Sequence, residues 1–298
     1  MVTIGEVARY AGVSVATVSR VLNNSESVKP ATAQRVLAAI RELDYIPNQS
    51  ARNLRRSESR VILTLAPNFS NPYYSSILTG FLKMLDAHRA DGAIFLGYRR
   101  NNPRLSEYAQ RYPVVQCCEY VPELKQPTVS IDNYTAAAET IDYLINQGHR
   151  RIALLSADND FISTQQRRQG YEDVLRKAGL PCGGELVALA DADYSYASGL
   201  VAAVCCVSDI LALSVISLAH DMGLRVPEDL SVTGFDDVDY TTMFHPHLTT
   251  VAQPCYEMGQ VSLKILLRML GGEQVSRTHT FLPHKLVVRE SVAARNEL

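Results

Sequence analysis

Hydrophobic positions fall into two regimes along this chain, and the change comes near residue 60. Before it, apolar residues recur every three or four positions, the spacing of one helix face. Thr3 and Glu6 make an S/T-x-x-E capping box, which starts a helix near Ile4 with Ile4, Val7, Ala8 and Ala11 on its inner side. Gly12 stops that helix and Ser14 caps the next, whose buried stripe is expected at Val15, Val18, Val21 and Leu22. A third helix runs from Pro30 to Leu43 with Ala33, Val36, Leu37 and Ile40 inward. Two short helices joined by a four-residue turn with a glycine form a helix-turn-helix, and the second helix is the reading one. Its outer face carries Ala16, Thr17, Ser19, Arg20 and Asn23. These are short hydrogen-bonding groups and one long bidentate donor, a mix that suits DNA phosphates and a guanine edge. The competing reading is a plain three-helix bundle with a solvated polar face.

After residue 60 the pattern changes to short apolar runs of strand length, expected at 60–65, 92–96, 113–118, 128–131, 151–155, 185–188, 204–207, 230–235, 248–251 and 285–289. Helical spacing alternates with them at 72–89, 134–147, 165–178, 209–222 and 255–270. Alternating strands and helices predict a parallel, doubly wound α/β body, and its length suffices for two such sheets. Ligands in these sheets bind beyond the carboxyl ends of the strands. Polar candidates there are Tyr73 and Tyr74 after the first strand, Arg167, Asp209, Asp236 with Asp237, and Gln253. An arginine among carboxylates with two stacking aromatics suits a neutral polyhydroxyl or nucleoside ligand. The plainer alternatives are that Asp209 only caps its helix and that Arg167 pairs with Glu172 or Asp173. His245-Pro246-His247 reads better as a loop with two exposed imidazoles than as a metal site, so no metal and no cofactor is expected.

Charge sharpens the division. The 298 residues carry a formal net charge of −2, but the first sixty hold nine basic and five acidic side chains, leaving −6 for the rest. A basic module on an acidic body fits a binder of phosphate backbones. No uncharged apolar run approaches the ~20 residues that span a bilayer, and the first residues do not read as a secretory signal. The cysteines at 117, 118, 182, 205, 206 and 255 lack C-x-x-C spacing, so small buried side chains in a reducing cytoplasm are expected rather than disulfides or zinc. The sequence has no G-x-S-x-G, G-x-x-x-x-G-K-[ST], H-E-x-x-H or G-x-G-x-x-G, and an enzyme is not expected.

Residues 4–23, from Ile4-Gly5-Glu6-Val7-Ala8 to Arg20-Val21-Leu22-Asn23, resemble the N-terminal signature of the lactose/galactose repressor family of bacterial transcription regulators. Residues 45–54, Tyr45-Ile46-Pro47-Asn48-Gln49-Ser50-Ala51-Arg52-Asn53-Leu54, resemble that family's hinge helix, and the likeness runs along almost the whole chain. The resemblance implies that Val15, Ala16 and Arg20 face bases and that Thr17, Ser19 and Asn23 hold phosphates. It makes Leu54 an apolar wedge in the minor groove at the centre of the operator. It implies a body of two lobes similar to periplasmic sugar-binding proteins, joined by three crossovers, with effector contacts at Tyr73, Tyr74, Phe161, Arg167, Asp236 and Gln253 and with Asp209 nearby. Residues 119–133 resemble those of cytidine-responsive members, so a nucleoside stands beside a sugar as the effector class. Lys29 replaces the usual Ser or Thr cap of the third helix. Cys205 stands where the family often has a stacking aromatic, and Cys117-Cys118-Glu119-Tyr120 replaces its common apolar-Asp pattern.

The hinge of about nine residues is too short to be a stable helix alone in water, where helices under ~12 residues are marginal; it is expected to fold against DNA. In two places the chain looks short for its pattern. One is near Gly80-Phe81, where by comparison with the family an α/β unit of about two dozen residues is expected and not found; the other is between Leu200 and Val204, where a helix would enter a strand without a loop. The expectation there favours omitted residues over a natural deletion, because loss of an interior strand would expose a buried sheet face. The domain scheme is then 1–46 for the helix-turn-helix, 47–58 for the hinge, 59–156 with 253–281 for the first lobe, and 157–252 with 282–298 for the second. The expected function is a cytoplasmic, homodimeric regulator that binds a double-stranded operator and answers to a sugar or nucleoside, without membrane contact. A solute-binding protein with a basic leader is the alternative.

Overall fold

A computed structural model describes residues 2–23, 28–45, 62–65, 73–74, 77, 92–97, 103–189, 201–276 and 278–295. The expected hinge, including Leu54, and most of the expected helix over 72–89 lie outside the described residues. The chain divides into two compact units, Met1–Arg60 and Val61–Leu298.

In the first unit, α1 (Ile4–Tyr10), α2 (Val15–Asn23) and α3 (Pro30–Glu42) follow the sequence signals closely. Thr3 accepts from the Glu6 amide, and the Glu6 carboxylate takes the Thr3 N–H at 2.7 Å, closing the capping box. Gly12 sits at φ +63°, a left-handed backbone that lets the chain turn between α1 and α2 without a Cβ clash. Ser14 Oγ then accepts from the Thr17 N–H at 3.2 Å and caps α2. Lys29 supplies no such bond at α3, where Pro30 in the first turn removes one orphan donor instead. Val7, Ala8, Ala11, Val18, Val21, Ala33, Val36 and Ala39 form the core. Two expected core residues are exposed: Val15 and Leu37, each at 40%. Val15 opens its helix at the turn, before the stripe reaches the bundle. Leu37 falls beside the stripe, and the small Ala39 takes the next inward position, so three short helices close around small side chains.

In the second unit, one sheet has the order β1 (Ile62–Leu65), β2 (Gly92–Phe95), β3 (Val114–Cys117), β4 (Thr128–Ser130) and β10 (His279–Phe281), all parallel. A second parallel sheet has the order β6 (Val187–Leu189), β5 (Ile152–Ser156), β7 (Ala203–Cys206) and β8 (Ser231–Thr233). β2, β3, β5 and β7 are buried at every position, as parallel strands covered on both faces must be, and this is why they read as unbroken apolar runs. An antiparallel pair, β9 (Thr250–Ala252) with β11 (Lys285–Val287), adjoins the second sheet. Helices α4 (Pro103–Arg111), α5 (Asn133–Asn146), α6 (Ile162–Lys177), α7 (Asp209–Asp221) and α8 (Cys255–Leu270) join the strands. The chain leaves the first sheet after β4, returns through α8 to β10, and leaves again to β11, giving three crossovers.

Two expectations change. The first-lobe boundary at 156 puts β5 in the wrong sheet: β5 pairs with β6 and β7, and α5 packs Ile141 and Leu144 against Ile152, Leu154 and Tyr171, so the crossover precedes α5. The sequence placed it later because strand and helix alternate without interruption there. The argument from a lost interior strand also fails, because β1 pairs directly with β2 and the sheet is continuous through β10. β6 and β7 are separated by residues 190–202, which is about the minimum for a crossover between parallel strands. α4 and β10 are absent from the sequence reading; both are short, and β10 is a half-buried edge strand without a continuous apolar run.

Candidate functional site

The reading face of α2 is built by its two neighbours. Val18 and Val21 are turned into the core, which leaves Val15, Ala16 and Arg20 exposed and Thr17 and Ser19 half-buried at the rim. Thr17 is steadied by its contact with Ser14, hydroxyl to hydroxyl at 2.9 Å. Asn23 ends the helix. The exposed Val15, misplaced as core by periodicity alone, therefore joins the face to which the family resemblance assigned it.

The second site lies at the carboxyl ends of the strands of both lobes. Arg167, on the second turn of α6, is its centre and is 9% exposed. Its Nε donates to Asn133 Oδ1 at 2.9 Å, and its Nη1 donates to the Val207 carbonyl at 2.6 Å. Nη1 is 3.9 Å from Asp236 Oδ1, and the guanidinium lies 3.5 Å above the Phe235 ring. It does not pair with Glu172 or Asp173, which take Arg168 and Arg176 instead. Asp236 accepts from Gln253 Nε2 at 2.8 Å, and Gln253 Oε1 accepts from the Tyr73 hydroxyl at 3.4 Å. Tyr74 stands edge-on to Tyr73, with ring centroids 5.0 Å apart. Burial pushes both phenols well above their ordinary range, so each stays neutral and offers a ring face and a hydroxyl. Phe161 is the N-cap residue of α6 and is half-buried. A cavity of about 230 Å³ opens among Tyr73, Asp236, Gln253 and Tyr256.

Backbone strain is concentrated here. Asp236 (φ +118°), Asp237 (φ +55°) and Cys118 (φ +70°) are non-glycine residues in left-handed conformations. Such conformations cost of order 1–3 kcal/mol each and persist where the surroundings fix them, commonly at ligand clamps. Asp237 is fixed by Arg289, whose Nη2 donates to it at 2.6 Å.

Asp209 does not face the cleft. It is completely buried behind Asp236, accepting from the Val238 N–H at 2.9 Å and from the Thr250 hydroxyl. Ser208, not Asp209, caps α7. Asp209 therefore supports the strained loop from beneath rather than contacting a ligand, because both its oxygens are spent inward. Gly234 allows this: a Cβ there would lie 2.2 Å from Asp209 Oδ1.

Sequence reasoning missed Glu119 and Asn133 as members of the site. Glu119 follows β3 and reaches the other lobe, where its carboxylate takes the Ser163 amide at 3.2 Å and the Ser163 hydroxyl at the start of α6. Burial raises its pKa, opposed by Ser163 and by the Arg167 charge. Beside it, Gln166 Nε2 donates to the Tyr120 hydroxyl at 3.1 Å. The carboxyl-end rule that selected Asp236 applies equally to Glu119 and would have found it.

Both parts of the chain have matches among known proteins. Residues 3–48 match the model of bacterial regulatory proteins of the lacI family, and residues 141–292 match a periplasmic binding protein-like domain. The chain is 35% identical to the HTH-type transcriptional repressor CytR of Escherichia coli K12, covering 98% of this chain and 96% of that one. It is 32% identical to catabolite control protein A of Priestia megaterium, covering 97% and 99%. The former alignment spans 329 positions against 298 residues here, so that relative carries segments this chain lacks. Among solved structures it resembles the lac repressor dimer bound to operator and an anti-inducer (TM-score 0.83, 25% identity, 98% and 99% covered). It also resembles the transcriptional regulator CelR in complex with cellobiose (0.68, 30%, 98% and 100%). A free-standing solute-binding protein or an enzyme accounts for none of residues 3–48, and the chain is a member of the lacI family of DNA-binding transcriptional regulators.

Proposed function

We propose that this regulator acts in the cytoplasm as a homodimeric repressor that reads a pseudo-palindromic operator through Val15, Ala16 and Arg20 in the major groove. Thr17, Ser19 and Asn23 hold phosphates, and Leu54 enters the minor groove. A small neutral polyhydroxylated effector, a sugar or nucleoside, binds between the lobes on Tyr73, Tyr74, Phe161, Arg167, Asp236 and Gln253. The observation that carries the effector reading is Arg167. A single guanidinium is hydrogen-bonded to Asn133 at the start of α5 and to Val207 after β7, and it lies 3.9 Å from Asp236, which Gln253 links to Tyr73 of the other lobe, so a ligand that competes for it alters the fit of the lobes. The relatives named above include a repressor, an operator-bound dimer and a cellobiose complex, which supports the same reading.

A thermal-shift screen against sugars and nucleosides tests the effector class, since a ligand that binds only the folded state raises its melting temperature. A titration of labelled promoter fragments, with and without the hit, tests the coupling. In that assay Arg20→Ala costs about 1–3 kcal/mol on the specific site and relaxes selectivity at one base pair. Equal losses on specific and random DNA remove Arg20 from base reading.

The dimer has a natural face. Met243 and Phe244 are exposed at 59% and 65%, beside a groove of about 660 Å³ lined by Leu213, Ile216, Leu224 and Phe244 itself. A protruding aromatic next to an apolar groove is self-complementary across a two-fold axis. Phe244→Asp is therefore expected to yield monomers in sedimentation analysis and to weaken operator binding, because the two half-sites are no longer held together. A variant that stays dimeric moves the interface elsewhere.

A further inference from the structure

His245, His247 and Glu290 lie outside the DNA-reading and effector sites, and His245 borders the groove beside Phe244. The sequence places the imidazoles two residues apart in a loop but gives no third donor. The fold supplies it: the chain after β11 returns alongside this loop, with the Glu290 and Ser291 amides donating to the His247 carbonyl at 3.0 and 3.1 Å. Glu290 Oε2 then stands 2.9 Å from His245 Nδ1, and Oε1 stands 3.6 Å from His247 Nδ1. The two rings are stacked with centroids 4.3 Å apart, and one donor atom from each of the three residues falls within 4.8 Å of the others.

We propose that His245, His247 and Glu290 form a binding site for a borderline divalent cation of the zinc type. Two imidazole nitrogens and one carboxylate oxygen are the donors such ions prefer over magnesium or calcium, which take oxygen sets. Donors about 2.0–2.2 Å from a tetrahedral ion are themselves separated by about 3.3–3.5 Å. The two His–Glu separations, each to a different carboxylate oxygen, bracket that value, and turning the stacked rings apart brings both imidazole nitrogens and one oxygen onto a single ion. Glu290 is oriented in advance, because its Oε2 also accepts the His247 N–H at 3.0 Å. Exposure of His245 and Glu290 leaves a fourth position open to water. The bound ion staples the loop after the strained Asp236–Asp237 turn to the segment that follows β11. It thereby fixes the segment bearing Met243 and Phe244, and the site itself stands whether or not that face dimerises.

The test uses full-length protein stripped with EDTA and dialysed against Zn2+, with Co2+ as a spectroscopic substitute. The expected result is one equivalent per chain, a rise in melting temperature, and a Co2+ visible spectrum of nitrogen and oxygen coordination. His245→Ala lowers the affinity about tenfold or more. Melting temperatures read with and without metal separate any loss of apo stability from loss of metal binding, and Glu290→Gln serves as a second variant that keeps an acceptor for the His247 amide. The proposal is overturned if no saturable binding occurs, if His245→Ala binds as tightly as the parent, or if Co2+ shows thiolate charge-transfer absorption from the free cysteines.

Discussion

Arg167→Met is expected to abolish stabilisation by any cleft ligand and to lower the unfolding free energy of the body by about 3–5 kcal/mol, the usual cost of removing one member of a buried ion pair. Methionine keeps the aliphatic bulk over Phe235 but removes the donors to Asn133 and Val207 and the cation beside Asp236. The loss depends on pH in a definite direction. Burial already pushes the Asp236 carboxyl up to about 7, with Arg167 and Gln253 opposing. Without the cation it rises further, so the variant relieves itself by taking a proton at low pH and cannot do so at high pH. The deficit is therefore smaller near pH 6 than near pH 8.5, and adding Asp236→Asn to Arg167→Met recovers part of it. The chain has fifteen tyrosines and no tryptophan, so circular dichroism and tyrosine fluorescence follow the denaturation. A variant as stable as the parent that still responds to ligand would show that Arg167 neither holds the strand ends of its lobe together nor touches the effector.

How much of this was legible in the sequence depended on whether a signal was local. Thr3 with Glu6, Gly12 and Ser14 act within one turn of chain, and the reading unit followed from them. The interior strands were legible because burial on both faces leaves unbroken apolar runs, whereas β10, at an edge, leaves none. Leu37 and Val15 were misassigned because a periodic stripe gives a direction but not the width of the surface it meets. In the cleft, carboxyl strand ends located Asp236 and Gln253, yet the same rule could not separate a ligand contact from a support. Asp209 and Asp236 look alike in sequence; only the partners Val238 and Thr250, each far along the chain, turn Asp209 inward. Glu290 meets His245 by the same kind of distant return, which no local pattern encodes.

That inward turn has a measurable cost. Burial, and then the neighbouring Asp236 charge, pushes the Asp209 carboxyl up to about 8, against the bonds from Thr250 and Val238. Asp236 lies close behind at about 7. In the unfolded chain both carboxyls have pKa values near 4. Between about pH 4 and 8 the native state therefore holds protons that the unfolded chain has released, and stability falls as pH rises through that window. Below it, other groups act in the opposite sense. The lowered carboxyls of Asp132 and Glu290 lose their contribution on acidification, and His149, whose pKa burial depresses, favours the unfolded chain once the solution drops below about 6.5. The clean interval is thus pH 6.5 to 8.5, where the unfolding free energy should decline by up to about 1.4 kcal/mol per pH unit for each proton retained. Asp209→Asn should flatten the decline, because its amide oxygen still accepts from Val238 while the rotatable Thr250 hydroxyl turns to accept from its NH2. It should also leave the body more stable than the parent at pH 8.5. Denaturation curves at three pH values decide the matter: stability that climbs across this interval, or a slope the variant leaves unchanged, means that the buried acid is ionised in the native protein and that its bonds to Val238 and Thr250 outweigh its burial.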